Sequence, residues 1–135
     1  MVIKQTAVVD ASYIGEIIGL RKSANQAADN YIELVPYLRL IAPTLLHYEI
    51  FNSILKHCRY HKEESQSYFA DFNELTIKLI EPADFSEVYR LAEKYRLSFY
   101  DAAYIAILNQ EKADLFLTFD GDFKKVEDER VKVIV

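Results

Sequence analysis

The sequence predicts an α/β fold: a three-layer α/β/α sandwich built on a mainly parallel sheet of about five strands. Three observations lead there. Short, β-branched apolar runs alternate with longer segments of helical periodicity, which is the pattern of parallel strands joined by crossover helices. Glycine and proline number only three each in 135 residues, so regular elements are long and loops few. No repeat, low-complexity tract or linker interrupts the pattern, which suits a single domain over residues 1–135.

The elements follow in order. TAVV (6–9) reads as a buried strand that stops at Asp10. From Ser12, Ile14, Ile17, Ile18 and Leu20 recur at helical spacing. RKSAN then breaks the pattern, and Ser23 with Gln26 forms a capping-box pair for a second helix to about Leu34, ended by Pro36. LRLIAP (38–43) is a second strand. The segment 44–61 is a long amphipathic helix with Leu46, Ile50, Ile54 and Cys58 along one apolar line. Residues 62–74 are polar and fit a helix or a hairpin. LTIKLIE (75–81) alternates and reads as a third strand. Pro82 opens a helix over 83–95, and Ser98 opens another to about Lys112. DLFLTFD (114–120) and VKVIV (131–135) are the fourth and fifth strands.

Composition sets bounds on function. Hydrophobic residues make up 51% and charged residues 27%, as in soluble globular proteins. No apolar run is long enough to span a bilayer, so no membrane role is expected. The N-terminus lacks the pattern of a signal peptide. The single cysteine, Cys58, excludes an internal disulfide, and a reducing cytoplasm is the expected location. A formal charge of −5 argues mildly against nucleic-acid binding, but the argument weakens if several acids surround a cation.

In a parallel sheet, the ends of strands and the starts of the following helices share one edge, where ligands bind. Asp10 and Asp120 end strands; Glu49 and Asp101 lie near helix starts. Each has a plain structural reading: an N-cap for Asp10, a capping box with Ser98 for Asp101, turn chemistry in DGD for Asp120, and a solvated helix position for Glu49. Convergence of all four changes the balance. Two carboxylates about 5 Å apart repel by roughly 3 kcal/mol at an effective dielectric of 20. A divalent cation removes that cost, and all-oxygen ligands suit Mg²⁺ or Mn²⁺. A carboxylate-held cation of this kind points to hydrolysis of phosphodiesters.

The same four segments, VVDAS, PTLLHYEIFNSI, LSFYDAAYIAI and LFLTFDGDF, resemble the four motifs of the PIN-domain nucleases, in order and over nearly the whole chain. The resemblance implies a Mg²⁺- or Mn²⁺-dependent endoribonuclease with Asp10, Glu49, Asp101 and Asp120 as metal ligands and catalytic acids. Asp122 offers a second carboxylate beside Asp120; Asp120 ranks first because it stands at the strand end. A short chain of this kind looks most like the VapC-type toxins of toxin–antitoxin pairs, which implies an RNA substrate, a small antitoxin partner and a homodimer. A non-catalytic RNA- or protein-binding module, and a PIN ribonuclease of RNA processing, stand as alternatives. Ser12 stands where a haloacid-dehalogenase-like phosphatase needs a second Asp, so that class is disfavoured.

Supporting residues carry two readings each. Ser12 starts a helix or presents its hydroxyl to a phosphate. Asn52, one turn from Glu49, binds water or phosphate, or is simply exposed. Thr118 bonds a carboxylate or fills a strand. Arg21, Lys22 and Lys56 meet RNA or solvent. Tyr13, Tyr48, Tyr100 and Tyr104 flank the acids and stack on bases or pack the core, with core packing expected for at least half. His57 and His61 are four apart, the spacing of a two-ligand metal pair without an evident third ligand.

Overall fold

The computed structural model describes residues 4–21 and 26–134. Its sheet has five strands: β1 (Gln5–Val9), β2 (Leu38–Ala42), β3 (Ile77–Leu79), β4 (Leu115–Thr118) and β5 (Val131–Val133). They run in the order β3-β2-β1-β4-β5, and every pairing is parallel. The helices are α1 (Ala11–Ile17), α2 (Gln26–Ile32), α3 (Leu45–His57), α4 (Lys62–Glu74), α5 (Phe85–Tyr95) and α6 (Phe99–Gln110). α1 packs on α3 and α3 on α4, while α5 packs on α6, which lies against β1 and β4. The architecture is the expected three-layer α/β/α sandwich. Among the described residues, no helix is long and apolar enough to cross a membrane.

The central strand carries the heaviest burial: Ala7, Val8 and Val9 are fully buried, because helices cover both faces. α6 is buried from Ala102 to Leu108, and its alanines at 102, 103 and 106 let it lie close to the sheet. Leu46, Ile50, Ile54 and Cys58 form the buried line of α3, as their spacing predicts.

Several boundaries differ from the sequence reading. α1 begins at Ala11, because Asp10 itself caps it. Residues 62–74 form a helix: Ser65, Tyr68, Phe69 and Phe72 turn inward at helical spacing, and Glu63 and Glu64 suit the positive end of the helix dipole. β3 is shorter than 75–81, since only its centre pairs with Leu40–Ala42 of β2 and its other side is an open edge. α5 starts later than residue 83, where Asp84 caps it by accepting from the Ser86 N–H at 2.8 Å. Ser23, the expected cap of α2, lies outside the described residues.

β1 is the point where the strand order reverses. Its chain continues to β2 on one side, and β4 arrives on the other. The crevice at the carboxyl ends of β1 and β4 is therefore the natural binding position of this topology.

Candidate active site

The register of β1 and β4 builds the centre of this crevice. Val9 pairs with Leu117, so the next residues, Asp10 and Thr118, face each other where the ladder ends. The Thr118 hydroxyl donates to Asp10 Oδ2 at 2.5 Å. Asp10 Oδ1 accepts from the Ser12 hydroxyl at 2.7 Å and from the Tyr13 N–H at 3.1 Å, which closes the first turn of α1. Ser12 Oγ in turn accepts from the Phe119 N–H at 2.9 Å, and Thr118 Oγ1 accepts from the Asp120 N–H at 3.0 Å. The two hydroxyls lie 3.2 Å apart with each proton committed to Asp10. The structural and functional readings of Asp10, Ser12 and Thr118 are thus compatible. One network caps a helix, tethers two strands and aims a carboxylate at the crevice.

The other acids arrive from their own elements. Ser98 caps α6 and accepts from the Asp101 N–H at 3.0 Å, which sets Asp101 in the first turn. Asp120 opens a 3₁₀ turn over Gly121–Lys125 and accepts from the Asp122 N–H at 2.9 Å. One carboxylate oxygen from each of Asp101, Asp120 and Asp122 lies within 4.8 Å of the other two. Both carboxylates of the DGD turn therefore enter the same cluster. Asp10 and Glu49 stand outside this tight triple but within its field. Glu49 projects from α3, and the hydroxyl of buried Tyr104 donates to its Oε1 at 2.6 Å.

The electrostatics reflect burial first and neighbouring like charges second. Burial pushes the Asp10 carboxyl up to about 6, against the hydrogen bonds of Thr118, Ser12 and Tyr13, and the Asp120 charge adds to the rise. Glu49 is raised by burial and by Asp10, Asp101 and Asp120, with the Tyr104 hydrogen bond opposing. Asp101 is raised by burial, by Asp120 and by Asp122; the Ser98 hydrogen bond and, less so, Lys125 offset this only in part. The Tyr104 hydroxyl is pushed up by burial and by Glu49, so it stays protonated and donating. Burial is the first cause of each rise, and the neighbouring carboxylates add to it.

The donor set fits a divalent cation. It is all oxygen, and the 4.8 Å spread is close to the ~4 Å across a Mg²⁺ octahedron, so small side-chain rotations close it. Asp101, Asp120 and Asp122 would hold such an ion, with Asp10 and Glu49 beside them.

The remaining candidates separate by exposure. Tyr13 and Tyr104 are buried; the Tyr13 hydroxyl donates to the Tyr31 carbonyl at 2.8 Å, so its bulk ties α1 to α2. Tyr48 and Tyr100 are 80% and 67% exposed, each directly before an acid. Asn52 is exposed on α3, beyond Glu49. His57 and His61 do not keep helical spacing, because α3 ends between them and Arg59 and Tyr60 turn left-handed. Among the described residues neither histidine joins a cluster of three or more metal-ligand side chains. The role of Tyr104 as the donor that orients Glu49 was not legible from its motif position, where it reads as core or stacking. Lys22 lies outside the described residues.

Comparison with known proteins agrees with the fold. The PIN domain profile matches residues 7–129. No curated protein is detectably similar in sequence. Among solved structures, PAE2754 from Pyrobaculum aerophilum is similar at TM-score 0.72 and 20% identity, over 97% of this chain and 92% of that one. VapC20 from Mycobacterium tuberculosis, a Sarcin-Ricin loop cleaving toxin, gives 0.67 at 15% identity over 93% and 98%. VapBC2 from Rickettsia felis, bound to a DNA fragment from its promoter, gives 0.67 at 15% over 95% and 98%. With the profile spanning β2 to β4, the end of β1 and every acid of the crevice, this chain belongs to the PIN domain family.

Proposed function

We propose that the chain is a Mg²⁺- or Mn²⁺-dependent endoribonuclease and the toxin of a toxin–antitoxin pair. The observation that carries this reading is the convergence of Asp101, Asp120 and Asp122 within 4.8 Å, with Asp10 and Glu49, both raised chiefly by burial, close enough for the Asp120 charge to add to each rise. A divalent cation bound there supplies Lewis-acid polarisation of a phosphoryl oxygen and a more acidic water. The chain's own residues do the rest. Asp101, Asp120 and Asp122 present the ligand oxygens. Asp10, fixed by three donors, and Glu49, fixed by Tyr104, accept protons at the carboxyl edge. Water attacks phosphorus, the P–O3′ bond breaks, and the products are a 5′-phosphate and a 3′-hydroxyl. Asn52, one turn beyond Glu49, is a hydrogen-bond partner for the substrate, Ser12 holds Asp10 in place, and exposed Tyr48 offers a face to an unpaired base.

The toxin reading is supported by likeness to VapC20 and VapBC2, and it implies a small antitoxin that covers the acidic crevice. Exposed Phe85, Tyr89 and Phe99, with Phe85 and Phe99 stacked 6.2 Å apart, support a homodimer through α5 and the start of α6. Single-stranded RNA incubated with Mn²⁺ is expected to be cut by the chain, but not by Asp10→Asn. Undiminished cutting by the variant would falsify the site. Arrested growth on expression of the chain alone, relieved by its neighbouring gene product, tests the toxin role.

A further inference from the structure

A second feature opens onto the same crevice. α1 ends in a Schellman turn: Gly19 is left-handed at φ 79°, its N–H bonds the Glu16 carbonyl at 3.3 Å, and the Leu20 N–H bonds the Gly15 carbonyl at 2.9 Å. The Arg21 N–H also reaches Gly15 O, at 3.2 Å. This turn reverses the chain, and Arg21 comes back beside the site. Its guanidinium lies 5.8 Å over the ring of Phe119, the residue between Thr118 and Asp120. Its Nε is 3.9 Å from a Glu16 carboxylate oxygen. Side-chain exposure of 55% leaves the cation facing solvent while both contacts hold its position.

Arg21 lines one wall of a cleft of about 360 Å³, together with Ser12 and Gly15; Ser53 and His57 of α3 line the other. Glu49, Ser53 and His57 are spaced by four along α3 and share one face. That face runs about 12 Å from Glu49 to His57 at 1.5 Å per residue. Ser12 belongs to both regions, since it lines the cleft and bonds Asp10. The track therefore begins at the acids and ends at donors: a guanidinium, an imidazole and a hydroxyl. The His57 ring is steadied edge-on against Tyr68 at 5.6 Å. An acidic centre repels a polyanion, so a neighbouring donor set is what seats one.

We propose that this α1–α3 cleft is a phosphate subsite, in which Arg21, with Ser53 and His57, holds the backbone phosphate next to the scissile one. The proposal rests on the ribonuclease reading. Arg21 is a binding and positioning residue; it reaches the neighbouring phosphate, not the reacting bond.

The test uses the intact chain and a labelled single-stranded RNA oligonucleotide in Ca²⁺, followed by anisotropy between about 50 and 200 mM salt. Loss of one phosphate contact in Arg21→Ala lowers the salt slope by about 0.7. Cleavage with Mn²⁺ should show KM raised roughly tenfold with kcat nearly unchanged, while the Mn²⁺-induced rise in melting temperature is retained. Arg21→Lys keeps the charge and should restore the salt slope, but recover KM only in part, because the planar fork is lost. Arg39→Ala, exposed at the amino end of β2, serves as the control and should change neither quantity. An unchanged slope and KM in a folded Arg21→Ala overturns the subsite, and leaves the nuclease reading standing if the parent chain cuts RNA. Arg21-dependent binding without cleavage upholds the subsite and sinks the reaction instead.

Discussion

Replacing Asp10 with asparagine should raise the stability of the metal-free protein at neutral pH while abolishing activity. The fold raises this carboxyl from 3.8 to about 6, so between those values the folded chain holds a proton that the unfolded chain has released. Stability attached to Asp10 is therefore complete below pH 4 and is lost as pH rises through 6. At about 1.4 kcal/mol per unit, the ionised form is disfavoured by about 3 kcal/mol at pH 7.5. Asparagine removes that cost and keeps the cap, since its carbonyl can still accept from Ser12 and the Tyr13 N–H. Its amide must then donate toward Thr118, whose proton turns to Ser12 Oγ, 3.2 Å away. Allowing for that rearrangement and the weaker acceptor, the net gain is about 1–2 kcal/mol, or about 4–8 °C in melting temperature. Differential scanning fluorimetry in EDTA at pH 7.5 and 5.5 reads the effect. The parent chain should melt higher at pH 5.5, and the advantage of the variant should shrink there. Mn²⁺ at a hundredfold excess over its Kd should stabilise the parent by about 2.7 kcal/mol, and the variant by less. A variant that melts below the parent in EDTA at pH 7.5 refutes the claim that an ionised Asp10 costs stability in this fold.

Further outcomes follow from single contacts. Tyr104→Phe leaves Glu49 without its 2.6 Å donor and should weaken Mn²⁺ binding about tenfold by calorimetry, with little change in fold by circular dichroism. Tyr48→Ala, at an 80% exposed position, should leave melting unchanged but weaken single-stranded RNA binding by about 1–3 kcal/mol in anisotropy titrations. Gly19→Ala must place a Cβ at φ 79° and should cost about 1 kcal/mol in urea denaturation, although nothing lies within 4 Å of that Cβ. Phe85→Glu should shift sedimentation toward monomer if α5 is the self-association face.

The fold was legible because each strand and helix advertises itself locally. Val8 and Val9 are β-branched and apolar, Ser98 and Asp101 form half of a capping box, and the Leu46–Ile50–Ile54–Cys58 line is helical on sight. What sequence does not encode locally is side-chain convergence. Asp122 competes with Asp120 when the DGD turn is read along the chain, yet the 3₁₀ turn brings both carboxylates to Asp101. The Tyr104–Glu49 bond joins α6 to α3 across 55 positions, and no periodicity reports it. His57 and His61 look paired only while the helix is assumed to continue; the left-handed Arg59 and Tyr60 end it. Arg21 owes its place to a single glycine, a signal visible in the sequence but meaningless until the turn closes.

The acids of this crevice come from segments as distant as Asp10 and Asp122, and β4 is the strand that joins them. A nascent chain that has not yet released β4 from the ribosome holds Asp10, Glu49 and Asp101 but cannot assemble the edge. For a molecule proposed to destroy RNA, this ordering is a built-in delay. Any cutting at this edge has to wait until the last crossover has folded.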